Sequence, residues 1–246
     1  MGFNMSIPVL YCIGISPWSE KARWALDFHG VSYEKVEYQV LAMAPLLKFK
    51  ARKKRKFTDK LTVPLMIDGD EIYTDSFDIA RYAERQGGSE QLFPEQDIQR
   101  IQRLDSLSER LLNLLRAEVF DRTKGNHQAK VERLSFVSEK WRERAVPVLD
   151  YMVNFLEKKY PVPAEESASS LLQEIRAELK GRPYVLDDFS YADITLAQPL
   201  QFVSPLGGPY YRLGEAQIKT MEDVELAREF SDLIEWRDAL YEKHRL

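Results

Sequence analysis

Cysteine occurs once in the 246 residues, at Cys12, so no internal disulfide framework can form. That scarcity suits a reducing compartment, and we expect the cytoplasm. Histidine is almost as rare. His29, His127 and His244 are scattered, no Cys/His spacing of a metal site is present, and no metal is expected. No apolar run approaches the roughly 18 residues needed to span a bilayer. The start, Met1-Gly2-Phe3-Asn4-Met5-Ser6, has neither the basic region nor the apolar core of a secretory signal. An excess of positive charge is missing too: 35 Lys and Arg face 39 Asp and Glu, a formal charge of −4. Nucleic acid is therefore not the expected partner.

What is present is a globular composition, 44% apolar and 30% charged, long enough for one large domain or two ordinary ones. The run Ile7–Ile13 reads as a strand, and Ser16-Pro17-Trp18-Ser19-Glu20-Lys21-Ala22-Arg23 opens a helix behind it. Serine can cap an orphan amide, and proline fits the first helical position because its missing N–H is not needed there. Apolar spacing continues through Ala22, Ala25 and Leu26 to a stop at Gly30. Val31–Tyr38 alternates with period two, a half-buried strand, so the first three elements form a parallel crossover. Residues 39–62 show no clear periodicity and hold the basic run Lys48–Lys56, read first as a solvated face, with attraction of acidic ligands to the neighbouring site and a basic arm for phosphate or membrane surfaces as the rival readings. Thr62–Ile67 and Glu71–Thr74 read as strands around an Asp68-Gly69 turn. Asp75-Ser76 caps a further helix closed by Gly87-Gly88. The order β-α-β, then β-β-α, is the thioredoxin-like pattern on a four-stranded mixed sheet.

The stretch from Gly87 to Asp97 has linker composition, and strand signals vanish after it. Ile98 to Val119 forms one long helical stripe. Val131 to Phe155 forms a second, expected to bend at Pro147 and to place Trp141 and Met152 in the core. Ser190-Tyr191-Ala192-Asp193 has a capping-box arrangement before Ile194 and Leu196. Phe202–Lys219 reads as irregular, and a last helix carries Phe230, Leu233, Ile234, Trp236 and Leu240. The expected domains are 1–87, thioredoxin-like, a linker at 88–97, and an all-helical 98–246.

Each motif alone is explained by helix capping or strand ends. Their order is more specific. Ser16-Pro17-Trp18-Ser19 with Arg23, Val63-Pro64, Asp75-Ser76, Ser190 with Asp193, and Trp236 resemble the glutathione transferase superfamily, of the serine type. The resemblance implies that Ser16 donates a hydrogen bond to the glutathione sulfur, where thiol-transferase relatives carry cysteine. It implies a cis Val63–Pro64 peptide, with the Val63 backbone pairing with the cysteinyl part of glutathione. Asp75 and Ser76 would hold the γ-glutamyl end, and the helical domain would supply the pocket for a hydrophobic electrophile. A homodimer and a role in detoxification follow from the same resemblance. Two departures stand out: the segment between Tyr33 and Val63 is longer than the family's, and Asp75 replaces the more frequent Glu.

The chemistry fits these residues. A free thiol has a pKa of about 8.5, so little is thiolate at neutral pH, and lowering it by ~2 units is worth about 2.7 kcal/mol. A hydroxyl donor at a helix N-terminus supplies that order of magnitude. No Gly-x-Ser-x-Gly elbow surrounds Ser16, so it reads as a donor and not a nucleophile. Tyr11 in the first strand is a rival donor. The alternative function is a non-catalytic binding protein of the same architecture, holding an apolar ligand or a protein partner. Thiol-disulfide exchange is disfavoured, because serine stands where that chemistry needs cysteine and Cys12 lies inside a strand.

Overall fold

A computed structural model describes residues 7–52, 62–88, 90–159 and 166–245 of the chain. Its sheet has the strand order β2-β1-β3-β4. β1 (Val9–Cys12) runs parallel to β2 (Glu34–Glu37) and antiparallel to β3 (Leu65–Asp68), which pairs antiparallel with β4 (Glu71–Tyr73). Period two gives β1 two different faces. Leu10 and Cys12 are buried in one cluster with Ala22, Ala25 and Leu26 of α1 (Pro17–Phe28) and with Ile79, Ala80 and Ala83 of α3 (Ser76–Gln86). Tyr11 turns the other way, to Leu65 and to Leu47 of α2 (Val40–Ala51). At the end of α1, Gly30 takes φ 63°, the left-handed conformation that a Cβ would penalise. The hairpin turn is Gly69-Asp70, one residue later than expected, because Asp68 still pairs with Glu71 and Gly69 supplies the positive φ of 56°.

α2 corrects the sequence reading of 39–62 as irregular. Pro45 lies inside this helix, and its apolar residues point both to the sheet, at Leu47, and to solvent, at Leu46 and Phe49. A helix with no polar face leaves no period to count. Of the basic run, Lys50 and Arg52 are exposed at the end of α2, and Lys50 Nζ donates to Tyr11 Oη at 2.7 Å. Lys53–Lys56 lie outside the described residues.

The helical part begins with α4 (Ile98–Lys124), whose stripe Ile101, Leu104, Leu107, Leu111, Leu115 and Val119 is buried. α5 (His127–Arg133) and α6 (Glu139–Lys159) follow, then α7 (Ala168–Leu179), α8 (Tyr191–Ala197), α9 (Glu215–Met221), α10 (Val224–Glu229) and α11 (Ser231–His244). The second apolar stripe is thus two helices, not one. Asn126 caps α5 by accepting the Ala129 amide at 3.0 Å, and the chain turns between Leu134 and Ser138 before α6 starts. α9 also falls inside a stretch expected to be irregular.

Nor is Trp141 in the core. α6 buries Val146 and Val153 and turns Trp141, Val148, Tyr151 and Phe155 outward, at 47, 45, 65 and 49% exposure. Apolar residues spaced three and four apart occupy two faces of this helix, and spacing alone does not say which one meets the protein. No helix among the described residues is long and apolar enough to cross a membrane.

Candidate functional site

Strand register gathers the motifs at one edge of the sheet. Tyr11 pairs with Leu65 and Met66 with Tyr73, so the residues just past β1, just before β3 and just past β4 leave by the same side. Those residues are Ile13–Ser16, Val63–Pro64 and Thr74–Ser76. Two helices, α1 and α3, begin there, each pointing an N-terminus at that edge. Aligned peptide dipoles and unpaired amides make such a place attractive to anions.

Ser16 is the N-cap of α1 with extended backbone, and Pro17 takes the first helical position. Its Oγ accepts from Ser19 N at 3.5 Å, a long bond that leaves the hydroxyl proton available to donate. Ser16 is half-buried. The loop before it is bound on both sides: Ser16 N donates to Ile13 O at 3.0 Å, Ile13 N to Ser19 Oγ at 3.1 Å and Gly14 N to Glu37 Oε1 at 2.9 Å.

The Val63–Pro64 peptide is cis, with Val63 half-buried and Pro64 buried. Asp75 caps α3 through Oδ1, which accepts Phe77 N at 2.7 Å. The Asp75 carboxylate still reaches solvent, yet the protein enclosing it raises its pKa above the ordinary value, and the Asp105 and Glu109 carboxylates add to the rise. Ser76 is buried. The fully buried phenol Tyr191 from α8 stands beside it, its pKa driven far up by burial.

α4 completes this edge. Lys21 is fully buried and donates to Asp105 Oδ1 at 3.0 Å and to Glu109 Oε1 at 2.7 Å. Burial pulls its pKa down, but the two carboxylates outweigh that and raise it to about 12. Trp18 donates from Nε1 to Glu109 Oε2 at 2.7 Å and lies under the Arg116 guanidinium, 5.1 Å from its ring. Thr195 Oγ1 donates to Asp105 Oδ1 at 2.5 Å, tying α8 into the same cluster.

The rival candidates lie elsewhere. Tyr11 is on the α2 face and its hydroxyl is engaged by Lys50. Cys12 is fully buried, and burial pushes its thiol up to about 11, far from a reactive thiolate. One cavity of about 410 Å³, lined by Asp27, His29, Glu90 and His244 among others, sits at the far end of α1. A second of about 260 Å³ lies between Tyr11, Lys50 and Ile72. Neither touches Ser16. No group of three or more His, Cys, Asp or Glu suited to a metal is found among the described residues.

Residues 15–86 match the family model of the glutathione S-transferase N-terminal domain. Over 97% of its length the chain also shares the fold of a glutathione transferase from Phanerochaete chrysosporium, at 18% identity and TM-score 0.58, covering 95% of that chain. The chain has the glutathione transferase fold, and its residues 15–86 are similar to that family's N-terminal domain. Two other solved glutathione transferases share its fold. One, from Methylobacterium radiotolerans in complex with glutathione sulfonate, has 14% identity and TM-score 0.57, covering 97% of this chain and 92% of that one. The other, from Methylobacillus flagellatus with glutathione bound, has 15% identity and TM-score 0.54, covering 96% and 95%. No curated protein matches the sequence.

Within this glutathione transferase fold, sequence reasoning brought Ser16, Val63, Pro64, Asp75 and Ser76 to a shared edge but missed Lys21, Asp105 and Glu109. No local signal could have found them. Lys21 lies 84 and 88 residues from its partners, and a lysine in a helix ordinarily reads as surface.

Proposed function

We propose that the chain is a serine-type glutathione transferase, in which Ser16 holds the glutathione sulfur as thiolate for attack on a small hydrophobic electrophile. The observation that carries this reading is the Ser16 hydroxyl, half-exposed at the N-terminus of α1 with its proton free to donate, on the sheet edge shared by Val63 and Asp75. The donated hydrogen bond and the helix dipole both favour the sulfur's charged form. Val63 offers its backbone to the cysteinyl peptide. Asp75 takes the γ-glutamyl ammonium on the oxygen not used for capping, and the start of α3 with Ser76 takes the carboxylate. Residues 1–87 form the glutathione domain, 88–97 the linker, and 98–246 the domain that walls the electrophile. Such an enzyme serves detoxification in the cytoplasm and needs no metal.

The test is a titration with glutathione followed by a crystal soak. Ligand at a hundred times its Kd stabilises by about 2.7 kcal/mol, which for a chain of this size raises Tm by roughly 5–10 °C. The soaked crystal is expected to place sulfur within hydrogen-bonding distance of Ser16 Oγ. No shift at millimolar glutathione leaves the binding-protein alternative standing.

The proposal includes a homodimer, supported by the outward face of α6. Trp141, Val148, Tyr151 and Phe155 make an apolar stripe roughly 21 Å long. A patch of this kind on a surface helix signals association. Val148→Glu is expected to halve the mass measured by light scattering, since a buried unpaired carboxylate disfavours the interface by several kcal/mol. An unchanged mass would place the interface on another face.

A further inference from the structure

Arg245, just beyond α11, reaches back across the fold to the helix that Ser16 opens. Its Nε lies 2.6 Å from Glu20 Oε1 and its Nη1 2.6 Å from Asp27 Oδ2. Glu20 is 2% exposed and stands one turn after Ser16, its amide donating to Ser16 O at 3.0 Å. The second oxygen of Glu20 is bonded to Arg23 Nη2, and that same Nη2 donates to Gly14 O at 2.8 Å. Arg23 Nε is buried with no acceptor among the described residues, so the shared Nη2 carries the orientation of this guanidinium. An unbroken line of bonds thus runs from Arg245 through Glu20 and Arg23 to a carbonyl two residues before Ser16.

The two arginines share one buried carboxylate, with Asp27 balancing the second charge. Burial pulls the Arg245 pKa down and Glu20 and Asp27 outweigh it, leaving it raised; for Arg23, burial is likewise overcome by Glu20, with Tyr211 and Cys12 also facing it. Removing Arg245 takes away one of the two partners that fix the Glu20 carboxylate and leaves Glu20 and Arg23 as a single pair free to shift together. Here the group free to rearrange is the one that holds Gly14.

We propose that Arg245 is a positioning residue for Ser16: it fixes Glu20, Glu20 fixes Arg23, and Arg23 sets the path of the loop Ile13–Ser16. Its catalytic consequence rests on the serine reading above; its structural consequence does not. Guanidinium geometry matters because the fork meets Glu20 and Asp27 together, which an ammonium does less well.

The experiment compares the full chain with Arg245→Ala and Arg245→Lys by amide hydrogen exchange and by the ultraviolet absorbance of the glutathione thiolate. In Arg245→Ala the amides of residues 13–19 are expected to exchange about tenfold faster, an opening easier by about 1.4 kcal/mol, while α4 and α8 keep their protection. The bound thiol pKa should rise by about one unit, with kcat/KM at neutral pH down about tenfold. Arg245→Lys, which keeps a cation for Glu20, should recover part of both. Exchange of 13–19 within twofold of the parent overturns the proposal whatever catalysis does. So does an unmoved thiol pKa in an enzyme whose parent lowers it, for then Arg245 is only structural. Faster loop exchange with a parent that never lowers the thiol pKa keeps the clamp and removes the serine reading instead.

Discussion

Replacing Ser16 by alanine is expected to lower kcat/KM for conjugation of an aryl halide between about tenfold and a hundredfold at neutral pH, in a protein that stays folded. A hydrogen bond to a charged group is worth about 1.5–3 kcal/mol, the larger part of the ~2.7 kcal/mol needed to shift a thiol by two units. The α1 dipole, about 0.3–1 kcal/mol, remains in the variant and retains some of the shift. The pH–rate profile should therefore move toward higher pH, with the alkaline plateau less affected than the neutral rate. Stability changes little by comparison. The capping bond from Ser19 N is 3.5 Å long, so its loss belongs at the low end of the ~0.5–2 kcal/mol range for N-caps. A rate within a factor of two of the parent at neutral pH would take the sulfur-activating role away from Ser16.

The parts of this protein that could be read from its residues are those whose causes are local. Ser16-Pro17 and Asp75-Ser76 start helices because a capping side chain acts within three residues, and both start where expected. The sheet followed from the apolar run that holds β1, from period two across Val31–Tyr38 around β2 and from the turn chemistry at Gly69. α2 was not legible, since its apolar residues surround the helix and Pro45 argues against it. The facing of α6 was not legible either: Val146 and Val153 obey the same spacing as Val148 and Phe155. Within the candidate site the divide is sharper. The residues at strand and helix ends announce themselves, whereas Lys21 with Asp105 and Glu109, or Arg245 with Glu20, join only when distant segments meet.

The largest loss of stability is expected from Asp193→Ala, about 3–5 kcal/mol, read as a fall in Tm of roughly 10–15 °C. Asp193 is fully buried and serves three donors at once: Val185 N at 2.8 Å on Oδ1, and Ser190 N at 2.8 Å and Ser190 Oγ at 3.1 Å on Oδ2. Alanine leaves two buried backbone amides without acceptors, each at about 1–3 kcal/mol, against a typical total of 5–15 kcal/mol. Acidity separates the two contributions to this residue. Burial raises its pKa to about 6 in the folded protein, despite the hydrogen bonds from Val185, Ser190 and its own amide that oppose the rise, against about 3.9 unfolded. Between those values the folded state binds the extra proton. Its stabilising contribution is therefore fully present below about pH 4 and is lost as pH rises through 6. Denaturant melts of the parent and of Asp193→Ala should accordingly grow further apart, by roughly 2–3 kcal/mol, as pH falls from 7 to 4. Titrations common to both proteins cancel in that difference. If the gap narrows instead, the donors around Asp193 outweigh its desolvation, and the ionised carboxylate is the form that the capping box of α8 prefers.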